Sequence, residues 1–367
     1  MNHRLRVGII GAGVGAEHLV GYLLNPRAYD VTTICDLDRS RAETLAGMVS
    51  TPRSATDVEQ VLADPAIDLV SVCTPPFTHL GLALRALDAG KHVVVEKPVA
   101  ASPAEVDQLA AAAKAANRWV VPVFQYRFAR GPRLLRRLTD ADLTGPPVAV
   151  SLEVHWDRGA DYYAVPWRGN RATELGGTVM SHLIHAHDLL THLAGPVVRV
   201  RAEIATLVHQ VEVEDTAAVT MRLAGGAVAS SSATIGAAGN SSRYRFVFAD
   251  LTAQSGSAPY APGEDRWTFT ARDPARQGRV DALVQADDRP RRNGFAGLFE
   301  QLAPALSGDA DPPVSLSDAH AALSLSAAIY HSAQTSAAVE LPLSPDHPAY
   351  ARTDAPASTP VSGLPSP

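Results

Sequence analysis

The chain of 367 residues has a formal net charge of -6, with 46% hydrophobic and 19% charged residues, a globular composition long enough for two domains. It has no basic run interleaved with aromatic residues, which argues against a nucleic-acid partner, and no apolar run long enough to cross a bilayer. The N-terminus lacks a signal-peptide pattern, and Cys35 and Cys73 lie in apolar runs typical of buried free thiols. These features predict a soluble, cytoplasmic protein without a membrane partner.

The first predicted element is a short apolar strand at residues 5–10, which runs into the glycine-rich turn G-A-G-V-G-A and then into a helix-like pattern. Glycines let such a turn tighten and let its backbone approach a pyrophosphate at the helix N-terminus. The turn ends in Ala16, an accepted variant of the third glycine of the dinucleotide-binding motif. The residues predicted to contact a nicotinamide dinucleotide here are Gly11, Gly13, Val14 and Gly15.

The second predicted strand, residues 30–35, ends in Asp36. An acid about 20 residues beyond the glycines is the expected partner of the adenosine ribose hydroxyls. A carboxylate there repels a 2′-phosphate, so Asp36 favours NAD over NADP, although Arg39 and Arg41 leave NADP open. The alternative interpretation of Asp36 is a helix N-cap before residues 39–48.

Strand-like and helix-like segments continue to alternate up to residue 127, which predicts a doubly wound parallel Rossmann sheet over residues 1–127. Ligands of such sheets bind beyond the carboxyl ends of the strands. Residues that follow two predicted strands are further predicted contacts of the cofactor: Thr74, Pro75 and His79 after one strand, and Glu96 and Lys97 after another. The alternative for the second pair is a surface ion pair between Glu96 and Lys97.

Residues 128–345 read mainly as strands separated by turns, with Gly225-Gly226 and Gly239-Asn240 as hairpin signals. The pattern predicts an α+β domain with a large, mostly antiparallel open sheet. Residues 346–367 are rich in Pro, Ser and Ala without periodicity and are predicted to be a disordered tail.

One predicted helix, residues 178–193, carries a cluster of titratable side chains. His182, His185 and Asp188 are spaced three apart and share one face. A histidine beside a carboxylate suits general acid–base chemistry. A metal site is the weaker alternative, because no third carboxylate at ligand spacing accompanies the histidines. His187 and His192 are interpreted as packing residues.

Together these motifs resemble the Gfo/Idh/MocA family, named for glucose–fructose oxidoreductase and inositol dehydrogenase. The resemblance extends over residues 5–343. It depends on the order and spacing of the following motifs: the turn at Gly11, Cys73-Thr74-Pro75-Pro76 with His79, Glu96-Lys97-Pro98, Tyr126-Arg127-Phe128, Trp167-Arg168, Gly176-Gly177, His185-x-x-Asp188, Ala328-Ile329-Tyr330 and Leu341-Pro342-Leu343.

The resemblance implies an NAD(P)-dependent enzyme that transfers a hydride between nicotinamide and the hydroxyl or keto carbon of a sugar, sugar derivative or cyclitol. It implies that Lys97 binds the reacting oxygen, that His185 is the acid–base residue and that Arg168 touches the cofactor. It also implies a homo-oligomer, a dimer or a tetramer, formed through the open sheet of the second domain.

The chain departs from the family pattern four residues before His185, where relatives often have an aspartate and this chain has Ser181. A serine cannot raise the basicity of a neighbour as a carboxylate does. Either His185 works without that support, or His182, Tyr126, Tyr162 or Tyr163 contributes.

Two alternatives to a dehydrogenase remain open at this point. One is a glycoside hydrolase of the same build that uses NAD for transient oxidation. The other is a nucleotide-binding regulatory protein without catalysis, which is suggested by the serine at position 181 in place of the usual aspartate. The motifs leave the substrate, the reaction direction and the oligomer size undetermined.

Overall fold

The computed structural model describes residues 4–49, 53–260, 262–287 and 292–351. They divide into two compact units. The first comprises residues 4–49, 53–128 and 292–320, and the second comprises the described parts of 129–287 and 321–351. Residues 292–320, which the sequence pattern had assigned to the second domain, therefore belong with the first unit.

The first unit contains a six-stranded parallel sheet. Its strands are short and mostly apolar, and β4, in the middle of the sheet, is buried along its whole length, as expected of a sheet covered on both faces. They are β1 (Leu5–Ile10), β2 (Tyr29–Cys35), β3 (Arg53–Ala55), β4 (Leu69–Val72), β5 (His92–Val95) and β6 (Val120–Pro122). The order β3-β2-β1-β4-β5-β6 is that of a Rossmann sheet, so the predicted fold of this part is confirmed.

The helices between these strands begin and end where local sequence signals require. Ser102 caps the helix that follows β5 by accepting a hydrogen bond from the Glu105 N–H, with proline at the first helical position. That helix ends at Asn117, whose backbone is left-handed. The helices are α1 (Gly15–Leu23), α2 (Arg39–Ala46), α3 (Glu59–Leu62), α4 (His79–Asp88) and α5 (Pro103–Ala116).

The second unit contains an eight-stranded sheet, in which the pair β7–β10 alone is parallel among the pairs described. Its strands are β7 (Pro147–Asp157), β8 (Val197–Ala205), β9 (Thr216–Leu223), β10 (Val228–Thr234), β11 (Gly236–Phe248), β12 (Leu251–Gln254), β13 (Thr268–Ala271) and β14 (Val339–Glu340). The predicted large, mostly antiparallel sheet is confirmed. The helices up to residue 285 are α6 (Arg130–Asp140), α7 (Ala160–Tyr163), α8 (Arg171–Glu174), α9 (Ile184–Ala194) and α10 (Pro274–Gln285).

The remaining elements are α11 (Gly294–Leu306), α12 (Leu316–Thr335) and α13 (Pro348–Ala351). Aromatic packing explains why α11 joins the first unit. The rings of Phe299 and Tyr22 stack with centroids 4.0 Å apart, and the Tyr29 hydroxyl donates to the Phe299 carbonyl over 2.8 Å. Phe299 is fully buried, so its contact with α1 removes a large apolar area from water.

Two predictions in the second unit are wrong. Gly239-Asn240 is not a hairpin turn but lies inside β11, where the pairing with β7 shifts register between Gly236 and Ser241. A glycine in a strand marks such an irregularity as readily as a turn. The tail prediction fails at its start, because Pro348–Ala351 is helical and Tyr350 is buried; residues 352–367 lie outside the described residues. Among the described helices, none is long and apolar enough to cross a membrane.

Candidate functional site

The carboxyl ends of three parallel strands bring the predicted cofactor contacts of the first unit to one edge of its sheet. Ile10 of β1 pairs in register with Val72 of β4, which pairs in turn with Val95 of β5. The residues that follow are therefore neighbours: the Gly11 turn, the Thr74 loop, and Glu96 with Lys97. This edge is where open α/β sheets bind their ligands.

The turn after β1 has the shape that a pyrophosphate site requires. Gly11 has a φ of +100°, and a Cβ at this position would lie 2.5 Å from the Cys73 carbonyl oxygen, so glycine alone lets β1 and β4 approach here. A Cβ on Gly13 would meet nothing within 4 Å, which leaves room on the outer side. Helix α1 has no side-chain cap. Its first N–H groups are therefore suited to an anion.

The carboxylate of Asp36, at the end of β2, is held against this turn. Its Oδ2 accepts a hydrogen bond from the Ala12 N–H over 2.7 Å, and its Oδ1 accepts one from the Asp38 N–H over 2.9 Å. The N-cap of α2 is Asp38, whose side chain accepts from the Ser40 and Arg41 N–H groups. The N-cap alternative for Asp36 is thus wrong, and its position suits a ribose. On the same helix, Nη1 of Arg39 lies 3.8 Å from Oε1 of Glu43.

The loop after β4 is tied to the segment after β5. The two ring nitrogens of His79 lie 2.7 Å from the Pro98 and Thr74 carbonyl oxygens, and the side chain is buried. Burial lowers the pKa of His79, although both carbonyls favour its protonated form. The Thr74 hydroxyl bonds to that of Thr78 over 2.6 Å. His79 therefore braces two loops of the site, and Pro75 lies within the braced loop.

Glu96 is turned into the protein. It is buried, and its Oε1 lies 3.1 Å from Nε2 of fully buried His18, while its Oε2 accepts from the Lys97 N–H over 3.2 Å. Burial by itself would raise the pKa of Glu96, but the hydrogen bond with His18 and nearby positive charge hold that pKa below its usual value. The alternative of a surface ion pair between Glu96 and Lys97 is wrong, because Glu96 is not at the surface. His18 was missed from the sequence, since the helical pattern of α1 gave no reason to pair it with a strand end.

In the second unit, a buried glutamate that the sequence did not single out organises the predicted site residues. Glu174 is 2% exposed and accepts hydrogen bonds from the Gly169 N–H over 2.6 Å and from Arg168 Nη1 over 3.1 Å. The Ser181 hydroxyl donates to the same carboxylate over 3.2 Å. The guanidinium of Arg168 also lies over the ring of Tyr162, 3.8 Å from its centroid. Ser181, four residues before His185, is therefore hydrogen-bonded directly to a carboxylate.

The histidine helix begins with a π-helical turn, Val179–Leu183, and continues as α9. His182, His185 and Asp188 are all buried, and their spacing places them on one face of it. The turn is anchored by Glu214, which accepts from the Gly177 and Val179 N–H groups over 3.0 and 2.9 Å. Burial raises the pKa of Glu214. His187 packs on the sheet, with Nε2 2.9 Å from the Ser231 hydroxyl.

Of the three tyrosines considered as substitutes for the missing aspartate, Tyr126 belongs to the first unit, and Tyr162 and Tyr163 belong to the second. Tyr126 is buried in the 3-10 turn that follows β6 in the first unit. Tyr163 packs its ring against His209 in the second, with centroids 4.9 Å apart, and its buried hydroxyl makes no hydrogen bond within the described part of the chain. Burial raises the pKa of Tyr163. Within residues 4–49, 53–260, 262–287 and 292–351, no group of three or more His, Cys, Asp or Glu side chains could hold a metal ion.

A Rossmann sheet with a glycine turn and a ribose acid, followed by an α+β unit with a histidine-bearing helix, defines a dinucleotide-binding oxidoreductase architecture. The Gfo/Idh/MocA family model, described as an oxidoreductase family with an NAD-binding Rossmann fold, matches residues 5–124, and the model of the family's C-terminal domain matches residues 133–253. The chain belongs to the Gfo/Idh/MocA oxidoreductase family. The resemblance drawn from the motifs is thereby confirmed, together with the NAD-binding class of the first domain.

Several relatives with stated activities are similar to this chain. The D-glucoside 3-dehydrogenase of Escherichia coli is 30% identical over 195 residues, which are 52% of this chain and 54% of that protein. The levoglucosan dehydrogenase of Pseudarthrobacter phenanthrenivorans is 25% identical over 327 residues, 80% of each chain. The chain thus spans little more than half of the first of these relatives.

Among solved structures, the WlbA dehydrogenase from Bordetella pertussis, in complex with NADH and UDP-GlcNAcA, is 25% identical with a TM-score of 0.81. The similarity covers 93% of this chain and 100% of that one. It extends over both units of the present fold.

Proposed function

We propose that this protein is an NAD-dependent dehydrogenase or reductase of a sugar, sugar derivative or cyclitol. The observation that carries the proposal is the shared sheet edge of the first unit, where the Gly11 turn, Asp36 and Lys97 follow the ends of three strands. The relatives named for glucoside and levoglucosan dehydrogenation support the substrate class.

The residues of this edge fit a nicotinamide dinucleotide. The uncapped start of α1 and the space beside Gly13 suit the pyrophosphate. Asp36 suits the ribose hydroxyls and disfavours a 2′-phosphate, which supports NAD as the cofactor. Bound there, the nicotinamide would accept or return a hydride.

Lys97 and His185 are the proposed catalytic residues. Lys97 follows the buried strand β5, and its backbone N–H is bound by the Glu96 carboxylate, so its position is set by a rigid element. Its positive charge would hold the reacting oxygen and stabilise a developing alkoxide. His185 would take the hydroxyl proton in oxidation and return it in reduction. Arg168, held by Glu174, is a further proposed contact of the cofactor.

A homo-oligomer formed through the open sheet of the second unit is also proposed. The outward face of its central strands combines small or hydroxylated residues, including Ser151, Thr220 and Ser230, with arginines such as Arg222 and Arg245, and one face of an open sheet can pack against another sheet. Light scattering after size exclusion tests this part, and a monomer at micromolar concentration would contradict it.

The activity is tested with purified protein, NAD and a panel of sugars, glycosides and inositols, with NADH formation followed by absorbance. Lys97→Ala and His185→Asn should each lower kcat by about 10²–10⁴-fold while NADH still binds. Lys114→Ala, on the exposed side of α5, and His192→Gln, two turns further along the histidine helix, are the matched controls and should change kcat little.

Three results would count against the proposal. Release of an aglycone without net NADH formation would indicate a glycoside hydrolase. Tight NADH binding without turnover of any compound would indicate a regulatory protein. Full activity of Lys97→Ala would show that Lys97 is not a catalytic residue.

A further inference from the structure

An arginine in the second unit lies among aromatic rings and has no acidic partner among the described residues. The guanidinium carbon of Arg158 lies 5.0 Å from the ring centroid of Trp156, 5.3 Å from that of Tyr162 and 4.6 Å from that of Tyr260. All three distances are within the range of a cation–π contact. These four residues are called the arginine box below.

Aromatic contacts leave most of the hydrogen-bonding capacity of Arg158 unused. Its Nη1 donates to the Tyr260 hydroxyl over 3.1 Å, and its buried Nε has no hydrogen-bond acceptor within the described part of the chain. Its guanidinium forms no ion pair with a described carboxylate, whereas the guanidinium of Arg168 is paired with Glu174. A guanidinium has five N–H donors in a fork that matches carboxylate and phosphate oxygens, so an anion is the ligand that this side chain lacks.

Three carboxylates buried in this unit, Glu174, Glu214 and Asp215, are bound elsewhere. Glu174 is held by Arg168 and the Gly169 N–H, and Glu214 by two backbone N–H groups and the Tyr330 hydroxyl. Asp215 accepts from three successive backbone N–H groups, beginning at Leu207. None of them can turn to Arg158 without leaving those donors unpaired, which is costly in a buried site.

The arginine box lies against the helix that carries the proposed acid–base residue. The ring of Trp156 meets that of His182 edge-on, with centroids 5.0 Å apart, and the Tyr162 ring lies 6.1 Å from His182. His182 is one helical turn from His185. Aromatic faces pack well against the C–H surface of a sugar ring, so the box offers both an apolar wall and a cation beside the histidine helix.

Tyr260 holds its place in the box at the cost of backbone strain. Its φ is +61°, a left-handed conformation that bulky residues adopt rarely and that tends to occur at binding and active sites. The conformation places its ring 4.8 Å from that of Trp156 and its hydroxyl on Arg158. If this loop had only a structural role, a glycine at position 260 would adopt the same backbone conformation without strain.

We infer that the arginine box binds an anionic group of the substrate, so that the preferred substrate is an acidic sugar, with Arg158 as the residue that selects it. The shared chemistry is a carboxylate or a phosphate on the sugar. This inference rests on the proposed function, because it names the substrate class of the same site.

The test compares matched sugars with the 367-residue protein and NAD: D-glucose against D-glucuronate and D-glucose 6-phosphate, and D-galactose against D-galacturonate. We expect kcat/KM to be at least about 30-fold higher for an anionic member than for its neutral partner, since a hydrogen-bonding site of this kind strongly rejects analogues that leave it unpaired. Arg158→Gln should bring the ratio to within about 3-fold. Arg158→Lys should restore part of the preference, and the exposed Arg266→Gln should leave it unchanged. A gain with glucuronate identifies a carboxylate as the anion, and a gain with the 6-phosphate identifies a phosphate.

Failure of the inference and failure of the proposed function give different results. Equal kcat/KM for neutral and acidic sugars, unchanged in Arg158→Gln, would overturn the inference and leave the dehydrogenase intact; a lowered Tm without a change in preference would also overturn it. If no sugar is oxidised, the anion site is tested by binding instead, by measuring whether glucuronate or glucose 6-phosphate quenches the tryptophan fluorescence. Saturable quenching that is lost in Arg158→Gln would support the anion site, and no quenching would overturn it.

Discussion

The Ser181 hydroxyl donates a hydrogen bond to Glu174 Oε1 over 3.2 Å. The serine had stood out as a departure from the family pattern because it brings no carboxylate. Glu174, seven residues earlier, supplies one from the end of α8, and it also holds Arg168 and the Gly169 N–H. A buried carboxylate can support the histidine helix through the serine.

Glu174→Gln should therefore impair the enzyme more than Ser181→Ala does. The glutamine cannot form the charge-assisted bond to Arg168, whereas loss of the serine removes one neutral hydrogen bond, worth about 0.5–1.5 kcal/mol. We expect kcat/KM to fall about 10-fold or less for Ser181→Ala and further for Glu174→Gln. Steady-state kinetics on any accepted sugar measures both, and equal effects would contradict the role given to Glu174.

Asp36→Ala should weaken NADH binding without unfolding the protein. The substitution removes the acceptor of the Ala12 N–H and the proposed ribose ligand, and two charge-assisted bonds of about 1.5–3 kcal/mol each are at stake. We expect Kd for NADH, from fluorescence titration, to rise at least about 10-fold. Asp38→Ala is the matched control: it removes the cap of α2, costs about 1 kcal/mol of stability, and should leave Kd nearly unchanged. Unaltered binding by Asp36→Ala would exclude Asp36 from the cofactor site.

Two glycines of the same turn should respond differently to alanine. In Gly11→Ala the new Cβ meets the Cys73 carbonyl oxygen and the φ of +100° is unfavourable, so both Tm and NADH binding should fall. In Gly13→Ala the Cβ meets no protein atom within 4 Å. Its Tm should stay within about 2 °C of the parent protein, which is the size of a surface effect, while NADH binding weakens because the methyl group occupies the space for the pyrophosphate. A stable Gly11→Ala that binds NADH normally would contradict the geometry of the turn.

The contribution of Glu96 to stability should disappear in acid. Its pKa is depressed in the folded protein, so the ionised carboxylate stabilises the fold above its unfolded pKa of about 4.3, and this stabilisation is lost as the pH falls through the lower, folded value. Glu96→Gln should lower the free energy of unfolding at neutral pH by about 1–3 kcal/mol. The Tm difference from the parent protein should then narrow below about pH 4.3.

Thermal unfolding between neutral pH and pH 3 measures that difference. Glu43→Gln serves as the control, since its side chain is exposed and lies 3.8 Å from Arg39; its effect should stay within about 0.5 kcal/mol at every pH. A Tm difference for Glu96→Gln that does not change with pH would show that the carboxylate acts through packing alone.

Local signals in the sequence were sufficient for much of the fold. The glycine turn and the alternation of apolar strands with helices are short-range patterns, and together they predicted the parallel sheet and the position of Asp36 and Lys97 at its strand ends. The antiparallel sheet followed from strand periodicity in the same way. Such patterns report secondary structure because burial on one face repeats with the period of the element.

Contacts between distant segments were decided by the tertiary structure alone. Gly239-Asn240 carries a turn signal, yet it lies within β11, in the stretch between Gly236 and Ser241 where the pairing with β7 is interrupted. Residues 292–320 belong to the first unit because the ring of Phe299 stacks on that of Tyr22. His18 lies within hydrogen-bond distance of Glu96, 78 positions away in the sequence. Glu174 is singled out because it accepts a hydrogen bond from the Ser181 hydroxyl. Arg158 is singled out because three aromatic rings surround its guanidinium. The sequence by itself determined the elements, the family and the types of chemical group at the strand ends. The tertiary structure decided which buried charges have partners, because hydrogen bonds and desolvation depend on neighbours that no local pattern specifies.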